Sequence, residues 1–387
     1  MRNKMGNKLY LNYKGRPVTS HSYSGGTTLR FCKRRYFLER IKGWKQKENN
    51  ASTHFGDCVE AAVIYHVNNK NVGGIEHFVL QWNKFKDNKE LHYTDKEGSW
   101  EDLLRMGKHM LRLFEIWWPT SGITNPKFQL QYKKEVFPGS SKYQGLEFTS
   151  YVDIRGDYKG KPLVVDCKTS SSALPDNPVM LKLDAQLPDY AWVTGIPDVA
   201  FLNFVKGGSS FEKGDRATSL IDGKEFIVAF ADSTTNTALL LTAEIYARYA
   251  QEVSGVKGNA LKEIKARYTC LGGPMTPIAD ITKCRLQFLT TTIPDDMIAE
   301  AGQDEGQKMV EIVDCHERNY WPQDGKGIRF PNNKCTICPM RGICTGDDKL
   351  RDEMLVNLNA PATPALPPPV APAQVSEEDW LDKLLEG

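Results

Sequence analysis

Across 387 residues no run approaches the ~18 consecutive apolar residues of a membrane span, which excludes a transmembrane helix on sequence grounds. The opening stretch MRNKMGNKLYLNYKGR is basic but lacks the apolar centre of a secretory signal peptide. These two absences predict a cytoplasmic protein with no membrane partner. No Gly-x-x-x-x-Gly-Lys-Ser/Thr occurs, so the chain carries no ATP motor of that kind. No internal repeat is found either, which argues against a solenoid. A strong charge of one sign is also missing, because 50 Lys and Arg stand against 48 Asp and Glu for a net of +2.

What is present is ordinary globular composition, 40% apolar and 25% charged, in a chain long enough for one large domain or two smaller ones. The small net charge hides an asymmetry. Residues 1–50 carry thirteen bases against Glu39 and Glu48, a local +11, while Asp347 to the end carries nine acids and three bases, a local −6. The body up to residue 346 is therefore +8, a balance that suits a phosphate-rich partner. Nine cysteines in a reducing compartment read as thiols or ligands rather than disulfides.

The composition divides the chain into a basic segment 1–20, a folded body 21–346, a linker 347–375 and an acidic tail 376–387. The linker is Pro/Ala-rich from residue 359, as in NAPATPALPPPVAPAQV, and cannot bury a core. SEEDWLDKLLEG, capped by Ser376, reads as a short amphipathic helix on a tether, suited to docking a helicase, single-strand-binding or recombinase partner.

Within the body, TTLRFCKRRYFLERIKGW reads as one basic amphipathic helix behind N-cap hydroxyls, and residues 55–69 and 99–118 read as two more helices. The period then changes. FQLQYKKEVF (128–137), LEFTSYVDIRGDY (146–158), KPLVVDCKTS (161–170) and VAFLNFVKG (199–207) read as strands, with a helix over 182–195. KEFIVAFADS reads as a further strand and NTALLLTAEIYARYAQEVSG as a long helix. The expected fold class is α/β, a mixed central sheet flanked by helices.

The residues that carry chemistry lie on these strands. Asp153 ends the alternation of SYVD, and VVDCKTS places Asp166 and Lys168 two apart on one strand face. Two carboxylates at adjacent strand ends, with a lysine beside one, form a hard-oxygen site for Mg²⁺ or Mn²⁺, with a cation near the metal's water, as phosphodiester hydrolysis requires. Gln186 and Tyr190 share one face of the following helix, and Pro188 between them requires that helix to begin near Asp184. Glu60 on the 55–69 helix supplies a third acid, and Glu135 lies on a neighbouring strand.

The order Glu60, Asp153, Asp166-Cys167-Lys168-Thr169, Gln186 and Tyr190 resembles the RecB-like branch of the PD-(D/E)XK nuclease superfamily. The resemblance implies a restriction-endonuclease-like core. It also implies a metal held by Glu60, Asp153, Asp166 and the Cys167 carbonyl, hydrolysis assisted by Lys168, and contact of Gln186 and Tyr190 with a DNA strand. Glu60 stands where the family often has histidine, four residues after Gly56, and Ser150 stands where it has glycine. His54 precedes that glycine and should point elsewhere.

KCTICPMRGIC packs Cys335, Cys338 and Cys344 into ten positions, and thiolate sites usually take four ligands. Members of the same branch with an iron–sulfur staple resemble this arrangement, with one cysteine before the nuclease core and Cys-x-x-Cys-x5-Cys after it. AddB-type helicase–nuclease subunits and the nucleases of CRISPR adaptation are among them. The resemblance assigns Cys32 as the fourth ligand of a [4Fe-4S] cluster joining the N- and C-terminal segments, with zinc as the alternative. Cys58, Cys167, Cys270, Cys284 and Cys315 read as small buried hydrophobes. Lys33, Arg34, Arg35 and Arg40 beside Cys32 would form a basic surface for nucleic-acid phosphates, with Tyr36 and Phe37 in the core and Trp44 open to bases. The expectation is a metal-dependent DNA exonuclease acting on single strands or free ends in recombination, repair or end processing. CRISPR spacer processing and a non-catalytic DNA-binding assembly role are the rivals.

Overall fold

The structure is a computed structural model that describes residues 20–47, 49–88, 91–93, 98–140, 143, 145–207, 216–220, 223, 225–227, 281–324 and 334–359. The basic segment before residue 20, the expected strand residues 228–233, the expected helix 236–255, Cys270, the Pro/Ala stretch from 360 and the 376–387 tail lie outside those residues.

Strand β1 (Ser20–His21) leads to helix α1 (Tyr23–Phe31), whose cap Ser22 accepts from Gly25 N. The single basic helix expected here is broken at Cys32, which is extended, and continues as α2 (Lys33–Tyr36) and a π-helical turn, Phe37–Ile41. Tertiary contact outweighs local periodicity at this point. The break buries Cys32 and lets Tyr36 and Phe37 stack on Trp321, with ring centroids 5.9 and 5.2 Å away.

Strands β2 (Trp44–Gln46) and β3 (Asn49–Asn50) precede helix α3 (Ala51–Asn68), which Asn50 caps by accepting from Ser52 N. Helix α4 (Gly74–Asn83) was not apparent in the sequence. After β4 (Leu91–His92), helix α5 (Trp100–Trp117) opens on a capping box between Ser99 and Asp102. Strands β5 (Ile123–Glu135), β6 (Glu147–Tyr158) and β7 (Lys161–Ser170) follow as expected. Lys159 and Gly160 make the β6–β7 turn, both at positive φ.

Helix α6 (Gln186–Thr194) starts two residues beyond Asp184, whose Oδ1 accepts from Gln186 N at 2.8 Å and Leu187 N at 3.1 Å. Pro188 therefore falls in the first turn, where its missing N–H costs nothing. Strands β8 (Asp198–Val205), β9 (Arg216–Ser219), β10 (Glu225–Ile227), β11 (Ile281–Thr282) and β12 (Arg285–Thr292) come next. Helix α7 (Asp295–Glu317), short helices α8 (Arg341–Thr345) and α9 (Asp348–Met354), and strand β13 (Leu355–Asn357) complete the order.

The main sheet has six strands in the order β1-β6-β7-β8-β12, with β5 on the other edge of β6. It is mixed: β7–β8 and β1–β6 are parallel, and β5–β6, β6–β7 and β8–β12 are antiparallel. Helices cover both faces. Phe55, Trp82 and Phe114 from α3, α4 and α5 pack with Val165 and Ala200 on one side. Leu187 and Tyr190 of α6 pack with Val152 and Val164 on the other. Helix α7 lies against α6, where Gly302 permits the contact, since a Cβ there would fall 2.3 Å from Trp192 Nε1. A buried pair, His21 Nε2 to Glu305 Oε2 at 2.5 Å, with Lys308 also on Glu305, ties β1 to α7.

The folded body runs further than composition suggested. Residues 347–359 are not linker but α9 and β13, and β13 pairs antiparallel with β2 through Leu355–Gln46, Val356–Lys45 and Asn357–Trp44. Leu358 N also donates to Gly43 O at 2.9 Å. The first and last described segments are thus joined by a backbone ladder as well as by packing.

Candidate functional site

The site begins with a fork in the sheet. The β6–β7 ladder runs from Tyr158–Lys161 to Ile154–Val165 and then stops, one step short of Asp153 and Asp166. Further along β6, Glu147 and Phe148 pair with β1 instead. In the opening between, Cys167 N donates to Asp153 Oδ2 at 2.8 Å, so a carboxylate takes an amide that a regular ladder would give to a carbonyl. The chain also changes face here. Val152 packs with Tyr190 while Ile154, two residues on, packs with the α3 side. A regular strand would put both on one face. Opposite this point, between the pairs Phe128–Ile154 and Leu130–Val152, Gln129 has φ +50°, a conformation uncommon outside glycine. Both acids therefore sit in the body of their strands rather than at strand ends, β7 continuing to Ser170.

Tyr190 fills the fork. Its hydroxyl lies 3.1 Å from both Tyr151 O and Asp166 Oδ1 and accepts from Gln186 Nε2 at 2.7 Å. Gln186 Oε1 accepts from Lys168 Nζ at 2.8 Å, and that ammonium lies 2.8 Å from Asp166 Oδ2. The contacts close a ring, Asp166–Lys168–Gln186–Tyr190. The expectation that Tyr190 meets a DNA strand does not match its placement, because at 2% exposure its hydroxyl is enclosed and it acts on Asp166. Gln186 likewise turns its amide to Lys168 and Tyr190.

Helix α3 brings the third acid. Gly56 lets the helix approach β7, since a Cβ there would stand 3.1 Å from Thr169 Oγ1. One turn on, Glu60 accepts from Gln129 Nε2. A cavity of about 420 Å³ between helix and sheet is lined by Ser52, Gly56, Asp57, Glu60, Lys168 and Thr169 among others. His54 turns away and stacks on Phe85 at 4.8 Å. Glu135 pairs with Glu147, six positions from Asp153 along β6, and its carboxylate accepts from Gly145 N; it is no part of the site.

The electrostatics follow from burial. Desolvation and Glu60 push Asp153 up to about 7, against an amide hydrogen bond that pulls it down. Desolvation raises the fully enclosed Asp166 to about 7, with Lys168 opposing and Asp153 adding to the rise. Burial, Asp166 and Asp57 raise Glu60. Burial pulls Lys168 down, but Asp166 and Asp153 hold it above its ordinary value, so it stays charged. Three carboxyls against one ammonium leave two negative charges when all ionise. Asp166 Oδ2 is buried, and its partner among the described residues is the Lys168 ammonium at 2.8 Å. An enclosed oxygen-donor set short of two positive charges fits a hard divalent cation. The Cys167 thiol packs towards the α3 side, where burial and then Asp153, Glu60 and Asp166 raise it well above its usual range, while its backbone N–H holds Asp153.

The structure also sets the early Cys32 within electrostatic range of Cys338. Burial raises the Cys338 thiol, the Met340 amide and Arg35 oppose the rise, and the thiols of Cys344 and Cys32 add a little to it. Cys338 and Cys344 share an apolar cluster with Leu38, Met340, Leu355 and Phe31, and Cys335 O accepts from Cys338 N at 3.2 Å. Sulfur donors from both ends of the fold, shielded by apolar side chains, fit a thiolate-bound metal group. Among the described residues no three His, Cys, Asp or Glu side chains already stand as a ligand cage, in this cluster or in the acids. Cys58, Cys284 and Cys315 are buried free thiols, as expected.

The expected basic surface is largely paired. Lys33 lies 3.3 Å from Glu311 and 3.3 Å from Asp324, and Arg35 is 2.6 Å from Glu39 and 5.1 Å from the Phe31 ring centre. Arg34 lies over Phe37, and Arg40 donates to Ser24 Oγ. Sequence reasoning missed Gln129, which donates to Glu60, and, although it put the start of α6 near Asp184, missed that the Asp184 side chain itself caps the helix. An Asp two residues before Gln-x-Pro is a capping signal that could have found the second; nothing local marks the first.

No family model matches the chain, and no curated protein matches it. Among solved structures, one described as "Crystal structure of SSO0001" is similar at 16% identity over 44% of this chain and 67% of that one, with a TM-score of 0.19, too low to carry an argument. Among the described residues no helix is long and apolar enough to cross a membrane.

Proposed function

We propose that the chain is a metal-dependent DNA exonuclease with a restriction-endonuclease-like core, of the RecB-like PD-(D/E)XK kind, hydrolysing phosphodiester bonds in recombination, repair or end processing. The supporting observation is the ring Asp166–Lys168–Gln186–Tyr190 closed beside Asp153 and Glu60 in a sheet that opens to accommodate it. The preference for strand ends comes from the sequence resemblance alone. A salt-bridged strand surface would not bury Asp166 to 1% exposure beside two further carboxyls, Asp153 and Glu60.

Glu60, Asp153 and Asp166 would hold Mg²⁺ or Mn²⁺, with the Cys167 backbone next to them. When bound, such a cation neutralises the phosphate and lowers the pKa of its water. The chain's own residues do the rest. Lys168, kept protonated by Asp166, presents a positive charge where charge builds on the phosphate. Gln186 fixes the ammonium, and Tyr190 fixes Asp166 from behind, so both reacting partners are oriented before substrate arrives. Cys32, Cys335, Cys338 and Cys344 would hold a [4Fe-4S] cluster, or zinc, as a staple between the terminal segments. A non-catalytic assembly role has no use for this ring, and no observation favours it.

Purified protein with its cysteine-bound metal intact, given end-labelled single- and double-stranded DNA, should release nucleotides only with Mg²⁺ or Mn²⁺. Lys168→Ala should abolish the release. Inert protein, or a Lys168→Ala variant as active as the wild type, overturns the proposal.

A further inference from the structure

A second cluster of cations, distant from Lys33 and Arg35 in the chain, lies next to the acid site, on β7, β8 and β12 and the segments that flank them. Where β7 and β8 end and β12 begins, a trough of about 750 Å³ is lined by Leu174, Asp176, Lys206, Arg216, Lys283 and Arg285 among others. Asp176 is the one acid among the described residues that line it, against four cations. Arg216 keeps Glu225 at 3.5 Å. Lys206 joins the trough to the acid cavity, since it reaches the hydroxyl of Ser52 and lies over the Phe55 ring at 5.2 Å.

The trough is built rather than incidental. The loop after β7 is pinned to the sheet, with Gln287 Oε1 accepting from Leu174 N at 2.8 Å and Gln287 Nε2 donating to Leu174 O at 3.1 Å. Asn203 Nδ2 donates to the same Gln287 Oε1 at 3.1 Å, and Ser170 Oγ donates to Asn203 Oδ1 at 2.9 Å. The lining starts at Ser171, three residues beyond Lys168, which is about 10 Å along an extended strand.

We infer that this trough carries the phosphodiester backbone of one nucleic-acid strand on its way to or from the Asp166–Lys168 site; the inference rests on the nuclease reading. Cations without aromatic rings in the lining bind phosphates by charge and read no sequence.

The test is fluorescence anisotropy of a labelled single-stranded oligodeoxynucleotide with the full chain in EDTA, where no hydrolysis occurs, across a salt series. K283A/R285A should lower the slope of log affinity against log salt by about 1.4, two contacts at ~0.7 each, and weaken binding at least about tenfold at 0.1 M salt. The variant should keep the wild-type unfolding midpoint, and the charge-conserving K283R/R285K should keep the wild-type slope. K33A, which does not line the trough, should leave the slope unchanged. An unaltered slope in K283A/R285A, or an equal loss in K33A, overturns the trough. Binding through the trough by a protein that hydrolyses nothing keeps the trough and removes the nuclease reading. Hydrolysis with a kcat/KM indifferent to K283A/R285A does the reverse.

Discussion

Replacing Asp166 by asparagine should stabilise the metal-free protein above neutral pH. In the folded chain this carboxyl is enclosed and raised to about 7, whereas an unfolded aspartate titrates near 3.9. Because the folded pKa is the higher one, the folded state binds more protons than the unfolded state between about pH 4 and 7. Stability contributed by Asp166 therefore falls as pH rises through that window. At ~1.4 kcal/mol per unit, the ionised group penalises the fold by roughly 4 kcal/mol at pH 8. Part of that penalty is repulsion from Asp153, so Asp166→Asn should recover about 2–4 kcal/mol. Urea unfolding in EDTA at pH 5 and pH 8 measures it. The variant should gain on the wild type only at pH 8, and added Mn²⁺ should stabilise the wild type but not the variant. A variant no more stable than the wild type at pH 8 would refute the claim that these acids are held in electrostatic deficit.

Other consequences are direct. Tyr190→Phe removes a donor from buried Asp166, so it should cost about 1–3 kcal/mol in stability and about 10–100-fold in metal affinity, with activity largely returning at saturating Mn²⁺. Cys32→Ser should bleach a broad visible band near about 400 nm, characteristic of thiolate-bound clusters, and lower the unfolding midpoint; colourless wild-type protein with one zinc per chain would assign the site to zinc. Ending the chain after Asn359 should leave activity and stability within about 0.5 kcal/mol of the full chain. Ending it after Gly346 removes the strand paired with residues 44–46 and should lower the unfolding midpoint by several degrees.

The central strands and their acids were legible because their signals are local. Alternation marks β5, β6 and β7, and Asp-x-Lys places two charges on one strand face whatever surrounds them. What the sequence concealed was long-range. The pairing of β2 with β13 joins residues about three hundred positions apart, and no local pattern announces it. The break at Cys32 is set by Trp321, which Tyr36 and Phe37 stack against, and not by any glycine or proline in the helix itself. Lys33 reads as a solvent-facing cation because Glu311 and Asp324, on distant segments, could not be placed beside it, whereas the Arg35–Glu39 pair one turn apart is a local signal. Gln186 and Tyr190 were correctly put on one helix face, but their direction depended on the fork, where Asp153 rather than a ladder carbonyl accepts from Cys167 N.

The claim on which the account stands is that Glu60, Asp153 and Asp166 converge on a divalent cation beside Lys168. Anomalous diffraction from crystals soaked in Mn²⁺ tests it directly. The account predicts a manganese peak bonded to Asp153 and Asp166 and absent in Asp166→Ala crystals; no peak there at saturating Mn²⁺ would contradict it.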